Sequence, residues 1–160
     1  MKKAIITGPT GAIGHALIDE CIKNKVEVYA LCHPGSKRVE GFPSNNLLHV
    51  VYVDLSQLLD ARSMLPEDID TFYHLGWTGT FGDVRNDMYL QNYNVIYALD
   101  AVELASRIGC KKFVGAGSQA EYGRVEGVLS ASTPVFPENG YGIAKLCAGQ
   151  MSRILCEQKQ

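Results

Sequence analysis

A chain of 160 residues, 46% hydrophobic and 20% charged, has the composition of an ordinary folded globule, which excludes disordered, collagen-like and coiled-coil proteins. At that length one domain of the usual size is expected over residues 1–160, burying roughly 70% of the surface its unfolded form exposes without metal or disulfide staples. A net charge of -2 offers no basic field to nucleic acid or an anionic membrane, and no apolar run nears the roughly 18 residues of a membrane span.

Met1-Lys2-Lys3 leads into an apolar run too brief for a signal peptide, so a cytoplasmic location is expected. Lys3 to Thr7 is a short β-rich run, and Ile13, Leu17, Ile18, Cys21 and Ile22 then recur at helical spacing over residues 12–24. Val26 to Leu31 reads as the second strand. A polar, Pro/Gly-rich loop from His33 to Asn46 separates it from a third strand, Leu48 to Val53. A short helix is expected around Gln57–Leu65, ending before Pro66, with a fourth strand at Thr71–Leu75. Val84 to Arg107 reads as one long helix with Leu90, Val95, Leu99, Val102 and Ala105 inward, stopped by Gly109. Lys112 to Ala116 is a fifth strand, and a last helix starts at Tyr141. Strands alternating with helices predict an α/β fold, a Rossmann-like doubly wound parallel sheet of at least five strands with helices on both faces. No repeat, low-complexity tract or linker marks a second domain. Cys21, Cys32, Cys110, Cys147 and Cys156 are scattered, with neither a Cys-x-x-Cys pair nor a zinc-type histidine spacing, and are expected as buried reduced thiols; no metal site is expected.

Thr7-Gly8-Pro9-Thr10-Gly11-Ala12-Ile13-Gly14 lies between the first strand and the first helix, with glycines three apart. Gly8 permits a tight turn, Gly11 lets a pyrophosphate approach the backbone, and Gly14 lets the helix pack on the strand. The helix N-terminus then offers N–H groups and partial positive charge to the anion. The plain alternative is a glycine-rich turn with no ligand. After the second strand, Cys32-His33-Pro34-Gly35-Ser36-Lys37-Arg38 has no carboxylate to take a ribose 2′-hydroxyl, while Lys37 and Arg38 suit a 2′-phosphate. NADP is therefore expected ahead of NAD, the plain alternative being that these loop charges are simply solvated. His33 is either an adenosine contact or an exposed loop residue, and Asp54-Leu55 either holds an adenine amino group or leaves Asp54 as a turn or N-cap residue.

Tyr141-Gly142-Ile143-Ala144-Lys145 is Tyr-x-x-x-Lys, which puts both side chains on one helix face. An ammonium beside a phenol favours the phenolate and makes Tyr141 a usable general acid/base, and Lys145 is also placed to reach nicotinamide ribose hydroxyls. Ser118, just past the fifth strand, lies where open α/β sheets bind ligands and can donate to the oxygen whose proton Tyr141 moves; otherwise it caps a loop. Glu121 is either a substrate contact or a surface carboxylate.

These motifs, in this order, resemble the extended branch of the short-chain dehydrogenase/reductase family, the NAD(P)-dependent epimerase/dehydratase group. The carriers are Thr7–Gly14, Asp54-Leu55, His74-Leu75-Gly76, Asn94-Val95, Gly117–Gly123 and Tyr141–Lys145, so the likeness runs from Lys3 to about Ile154. The resemblance implies a triad of Ser118, Tyr141 and Lys145. It implies pyrophosphate contacts from Gly8, Gly11, Ala12 and Ile13, the adenosine ribose near His33, and adenine at Asp54 and Leu55. Leu75, Gly76 and Trp77 would line the ribose–nicotinamide path, with Asn94 supporting that wall. Gly76-Trp77 replaces a common pair of alanines, and Gly117 a common serine. Hydride transfer at a carbon of a nucleotide-sugar follows from the likeness. Ser118-Gln119-Ala120 lacks the acid pair of 4,6-dehydratases, which leaves an epimerase or 4-keto-reductase. A homodimer through the long and last helices is also implied. Family members continue into a smaller substrate-binding region, which is absent by Gln160, so the alternative expectation is a non-catalytic NAD(P)-binding module or a fragment of a longer enzyme.

Overall fold

Ala4, Ile5 and Ile6 have no exposed surface, as a central parallel strand covered on both faces requires. In the computed structural model, which describes residues 1–159, they form β1 (Lys3–Thr7). The chain continues through α1 (Ala12–Lys23), β2 (Glu27–Cys32), β3 (Leu48–Tyr52), β4 (Thr71–His74), α2 (Met88–Arg107), β5 (Lys112–Gly115) and α3 (Gly140–Gln158). Short 3-10 segments occupy Lys37–Gly41, Leu55–Met64, Asp83–Asn86 and Gln119–Glu121. The chain divides into two compact units. One holds Met1–Gly76 with Asp100–Gly115, and the other Trp77–Leu99 with the residues from Ala116 onward.

The first unit contains the whole sheet, five parallel strands in the order β3-β2-β1-β4-β5. Register carries one row of side chains across it, with Tyr29 opposite His49 and Ile5, and Phe72 opposite Ile5 and Phe113. That row packs with Ala101, Leu104, Ala105 and Ile108 of α2 and with Leu58 and Ala61. The alternate residues Ala4, Ile6, Val28, Ala30 and Cys32 face the other way and pack with Ile18 and Cys21 of α1. The period of two along each strand thus produces helices on both faces.

Two expected helices differ. Of residues 57–65, all but the extended Leu65 lie in the 3-10 segment Leu55–Met64, interrupted at Gln57, whose buried side chains Leu58 and Ala61 follow its three-residue period. The long helix begins at Met88 rather than Val84, because Asp87 is extended and its Oδ1 accepts the Leu90 N–H at 3.0 Å. Of its expected inward residues, Val95, Val102 and Ala105 are buried, while Leu90 and Leu99 are half-buried. All five cysteines are free thiols: Cys21 and Cys32 are buried, and burial pushes the Cys32 thiol up to about 11. Cys110, Cys147 and Cys156 are only partly buried, short of the burial expected of them.

At the sheet's opposite end from the glycine turn, Asp70 ties three chain positions together. Its Oδ2 accepts the Lys2 N–H at 2.5 Å and the Lys3 N–H at 3.1 Å, and Oδ1 accepts from Lys111 Nζ at 2.9 Å. These bonds hold its carboxyl well below the usual aspartate range, the Lys2 N–H contributing most. A depressed native carboxyl stabilises the fold fully above the unfolded value near pH 4 and loses that contribution as pH falls further. Asp70→Asn is therefore expected to lower the Tm at pH 7, with the gap from wild type narrowing below about pH 4 in thermal scans.

Candidate functional site

In the first unit, β1 ends at Thr7 and the turn to α1 is built from its glycines. Gly8 has φ +65°, and a Cβ there would lie 2.7 Å from the Gly76 N. A Cβ on Gly14 would lie 2.4 Å from the Gly8 O and 2.6 Å from the Pro9 Cα. Both glycines are required by the chain itself. Gly11 is different: a Cβ there meets nothing closer than the Gly8 O at 3.5 Å, an ordinary contact. Gly11 is the N-cap of α1 without a side-chain cap, and the helix's first turn carries no carboxylate. The N–H groups of Ala12, Ile13 and Gly14 are therefore not taken up by an acidic side chain. Ile13 beside them is 70% exposed.

Thr7 locks this turn to the end of β4, a role the sequence reading did not give it. Its Oγ1 accepts the Leu75 N–H at 3.2 Å and the Gly76 N–H at 3.1 Å. With both acceptor positions used, its hydroxyl hydrogen is left for His74 Nδ1 at 2.9 Å, so the ring proton sits on Nε2. Leu55 joins the group, since a Cβ on Gly76 would lie 3.0 Å from its Cδ2. The structure thus brings Gly8, Leu55, Leu75 and Gly76 together. His33 Nε2 lies 3.2 Å from Asp54 Oδ2, while Asp54 Oδ1 accepts from the Ser56 N–H and Oγ. The Ser56 bonds hold the Asp54 carboxyl below its usual value. Asp54 is thus an N-cap and also a partner of His33. Lys37 and Arg38 are exposed on the 3-10 segment after β2.

The second unit holds Ser118, Trp77, Asn94, Tyr141 and Lys145. Val95 and Ala98 of α2 pack with Ala144 and Ala148 of α3, with Trp77 against them. Asn139 caps α3 by accepting the Gly142 N–H at 2.8 Å, which sets Tyr141 in the first turn. Lys145 follows on the same face, 6% exposed, with its Nζ 6.0 Å from the Tyr141 ring centre. That Nζ donates to the Ala116 O at 3.0 Å and stands 3.9 Å from the Trp77 ring centre. Burial lowers the ammonium to about 8, against an opposing pull from Glu121. The Ser118 N–H donates to Glu121 Oε1 at 2.6 Å, and its Oγ accepts the Ala120 N–H at 3.2 Å. Ser118 is a capping serine whose hydroxyl hydrogen is not used by the cap; Glu121 closes the capping box.

Sequence reasoning missed Arg85 and Gln91. The Arg85 guanidinium carbon lies 4.5 Å over the Tyr141 ring. Gln91 accepts the Trp77 Nε1–H at 2.9 Å and donates to the Gly79 and Val84 carbonyls. Asn94 accepts the Thr78 N–H and donates to the Thr78 O, both at 2.9 Å. The available signal was two amides, Gln91 and Asn94, standing at the helical inner spacing i, i+3.

A family model described as the NAD dependent epimerase/dehydratase family matches residues 4–160. A dTDP-6-deoxy-L-talose 4-dehydrogenase (NAD(+)) from Aggregatibacter actinomycetemcomitans is 29% identical over 141 residues, covering 88% of this chain and 50% of that protein. Among solved structures, the UDP-Glc/GlcNAc 4-epimerase of Campylobacter jejuni superposes with a TM-score of 0.85 at 23% identity, covering 99% of this chain and 50% of that one. A UDP-glucuronic acid 4-epimerase from Bacillus cereus, in complex with NAD, gives 0.79 at 22% identity, covering 97% and 51%. The likeness to these structures is one of fold. The chain spans about half the length of the relatives it matches. Among the described residues, no helix is long and apolar enough to cross a membrane.

Proposed function

Since the chain belongs to the NAD dependent epimerase/dehydratase family, we propose that it binds NAD(P) and serves hydride chemistry at a carbon of a nucleotide-linked sugar, as an epimerase or 4-keto-reductase. The observation that carries the cofactor part is Gly11. Nothing in the chain forbids a Cβ there, yet the position faces uncapped helix N–H groups, as close approach of a pyrophosphate requires. Gly8, Gly11, Ala12, Ile13 and Gly14 would hold that pyrophosphate. Asp54 and Leu55 would take the adenine, His33 the adenosine ribose, and Leu75, Gly76 and Trp77 the ribose–nicotinamide path, with Asn94 fixing the backbone of that wall. Lys37 and Arg38, exposed beyond a β2 end that carries no carboxylate of its own, support NADP ahead of NAD.

When bound, the nicotinamide supplies the hydride acceptor or donor. Tyr141 moves the proton of the reacting sugar hydroxyl, Ser118 donates its unused hydroxyl hydrogen to the same oxygen, and Lys145 places positive charge beside Tyr141. The Ser118 capping bond supports this role, since it holds the oxygen still without consuming the donor. A homodimer in a cytoplasmic setting belongs to the same reading. Tyr89, Tyr93 and Ile96 on α2 and Ile143, Met151 and Ile154 on α3 all leave apolar surface exposed.

The test is a titration with NADH and NADPH, following energy transfer from Trp77 to the nicotinamide. Saturable binding is expected, tighter for NADPH. Gly11→Ala should keep the wild-type Tm within about 2 °C and weaken binding at least about tenfold. Equal binding by the variant would remove the pyrophosphate from Gly11. Binding without turnover of any nucleotide-sugar would favour a non-catalytic NAD(P)-binding module.

A further inference from the structure

Four side chains of the second unit form a run of two rings with a cation at each end. Arg85 lies over the Tyr141 ring at 4.5 Å, Tyr141 meets Trp77 edge to face with ring centres 6.0 Å apart and planes at 84°, and Lys145 Nζ sits 3.9 Å from the Trp77 ring centre. Three of the four are also tied outside the run. Arg85 Nη1 donates to the Thr80 O at 3.1 Å, Lys145 Nζ to the Ala116 O at 3.0 Å, and the indole N–H to Gln91 Oε1 at 2.9 Å. Gln91 is 1% exposed and is held in turn by the Gly79 and Val84 carbonyls, so the acceptor of the indole N–H is fixed in place and rotating the indole would give up that bond.

A buried ammonium is costly unless it is paired. Among the described residues Lys145 Nζ makes no ion pair; its near neighbours are one carbonyl and the Trp77 face. We propose that Trp77, oriented by Gln91, is a positioning residue for the Tyr141–Lys145 pair, its indole face holding the lysine ammonium beside the tyrosine where a carboxylate would neutralise it. Indole has the strongest cation-attracting face among the side chains, and the contact distance is well inside the roughly 6 Å range of such interactions. An ion pair would bind the ammonium more firmly and cancel its charge; the ring restrains it and leaves the charge able to act on Tyr141. The proposal rests on the reading that Tyr141 and Lys145 form the proton-transfer pair. The charged and titratable groups facing Lys145 are Glu121 from the 3-10 segment Gln119–Glu121, Tyr141 on α3, and Arg85 through the Tyr141 ring.

Trp77 is the sole tryptophan, so its emission reports on the contact directly. The emission maximum of the purified chain, followed from pH 6 to 10 without cofactor, is expected to show one transition centred near pH 8, where burial places the Lys145 ammonium. Lys145→Met, which keeps an unbranched stem in the same space, should abolish the transition. Gln91→Leu, shown folded by circular dichroism, should reduce its amplitude by at least half. A flat wild-type profile, or a transition that survives Lys145→Met, overturns the proposal; undiminished amplitude in folded Gln91→Leu overturns the part assigned to Gln91. No cofactor or sugar is present, so a lysine-dependent transition in a chain that fails to bind NADH or NADPH would refute the cofactor reading alone.

Discussion

Tyr141→Phe is expected to lower the rate of nucleotide-sugar oxidation by about 100- to 10,000-fold while leaving the NADPH dissociation constant within about twofold. The substitution removes one oxygen and keeps the ring. Its contacts with Arg85 and with Trp77 are ring contacts and persist, so the second unit retains its packing. Only the proposed proton carrier is lost. A single-turnover experiment, following nicotinamide reduction after mixing with sugar nucleotide, separates the chemical step from binding. A loss below about tenfold would move the acid/base role away from Tyr141. A wild-type chain that binds cofactor but shows no reduction would count against the catalytic reading itself.

Gly14→Ala is expected to cost about 3 kcal/mol of folding stability, the upper part of the range for overpacking, which corresponds to a fall of roughly 10 °C in Tm. The added methyl would meet the Gly8 carbonyl at 2.4 Å and the Pro9 Cα at 2.6 Å, both backbone atoms with no rotamer to yield. Relief requires either α1 or the turn to move, and the proposed cofactor site would move with it. Thermal unfolding and the NADPH titration should therefore both change, in contrast to Gly11→Ala, which should alter binding alone. A Gly14→Ala chain with wild-type Tm would show that the turn can relax, and would weaken the division between glycines needed by the fold and the glycine facing a ligand.

The middle of the sheet was legible because its central strand is buried on both faces and reads as an unbroken apolar run, Ala4-Ile5-Ile6. The glycine turn and the Tyr141/Lys145 spacing were legible because each lies within a few consecutive residues. What escaped joins distant segments. No carboxylate follows β2 in sequence, but parallel pairing of Cys32 with Tyr52 brings Asp54 alongside His33. The contacts of Tyr141 with Arg85, of Trp77 with Gln91, and of Lys145 with Ala116 likewise have no local signature. The helix boundary at Met88 was missed because apolar spacing continues back to Val84, while a single capping bond from Asp87 decides where the α-helix begins. Ser118 was left between capping and chemistry, and the bond geometry lets its oxygen and its hydrogen do separate things.

The strand order leaves the sheet with two unlike rims. β5 is four residues long and sets the exposed Lys112 two residues from an exposed Val114, so it offers a short border with a charge on it. β3 is one residue longer and turns Val50 and Tyr52 toward solvent, with no lysine or proline among its residues to discourage a passing strand. Self-templating is consequently expected to be lopsided, greater along β3 than along the shorter β5 with its lysine.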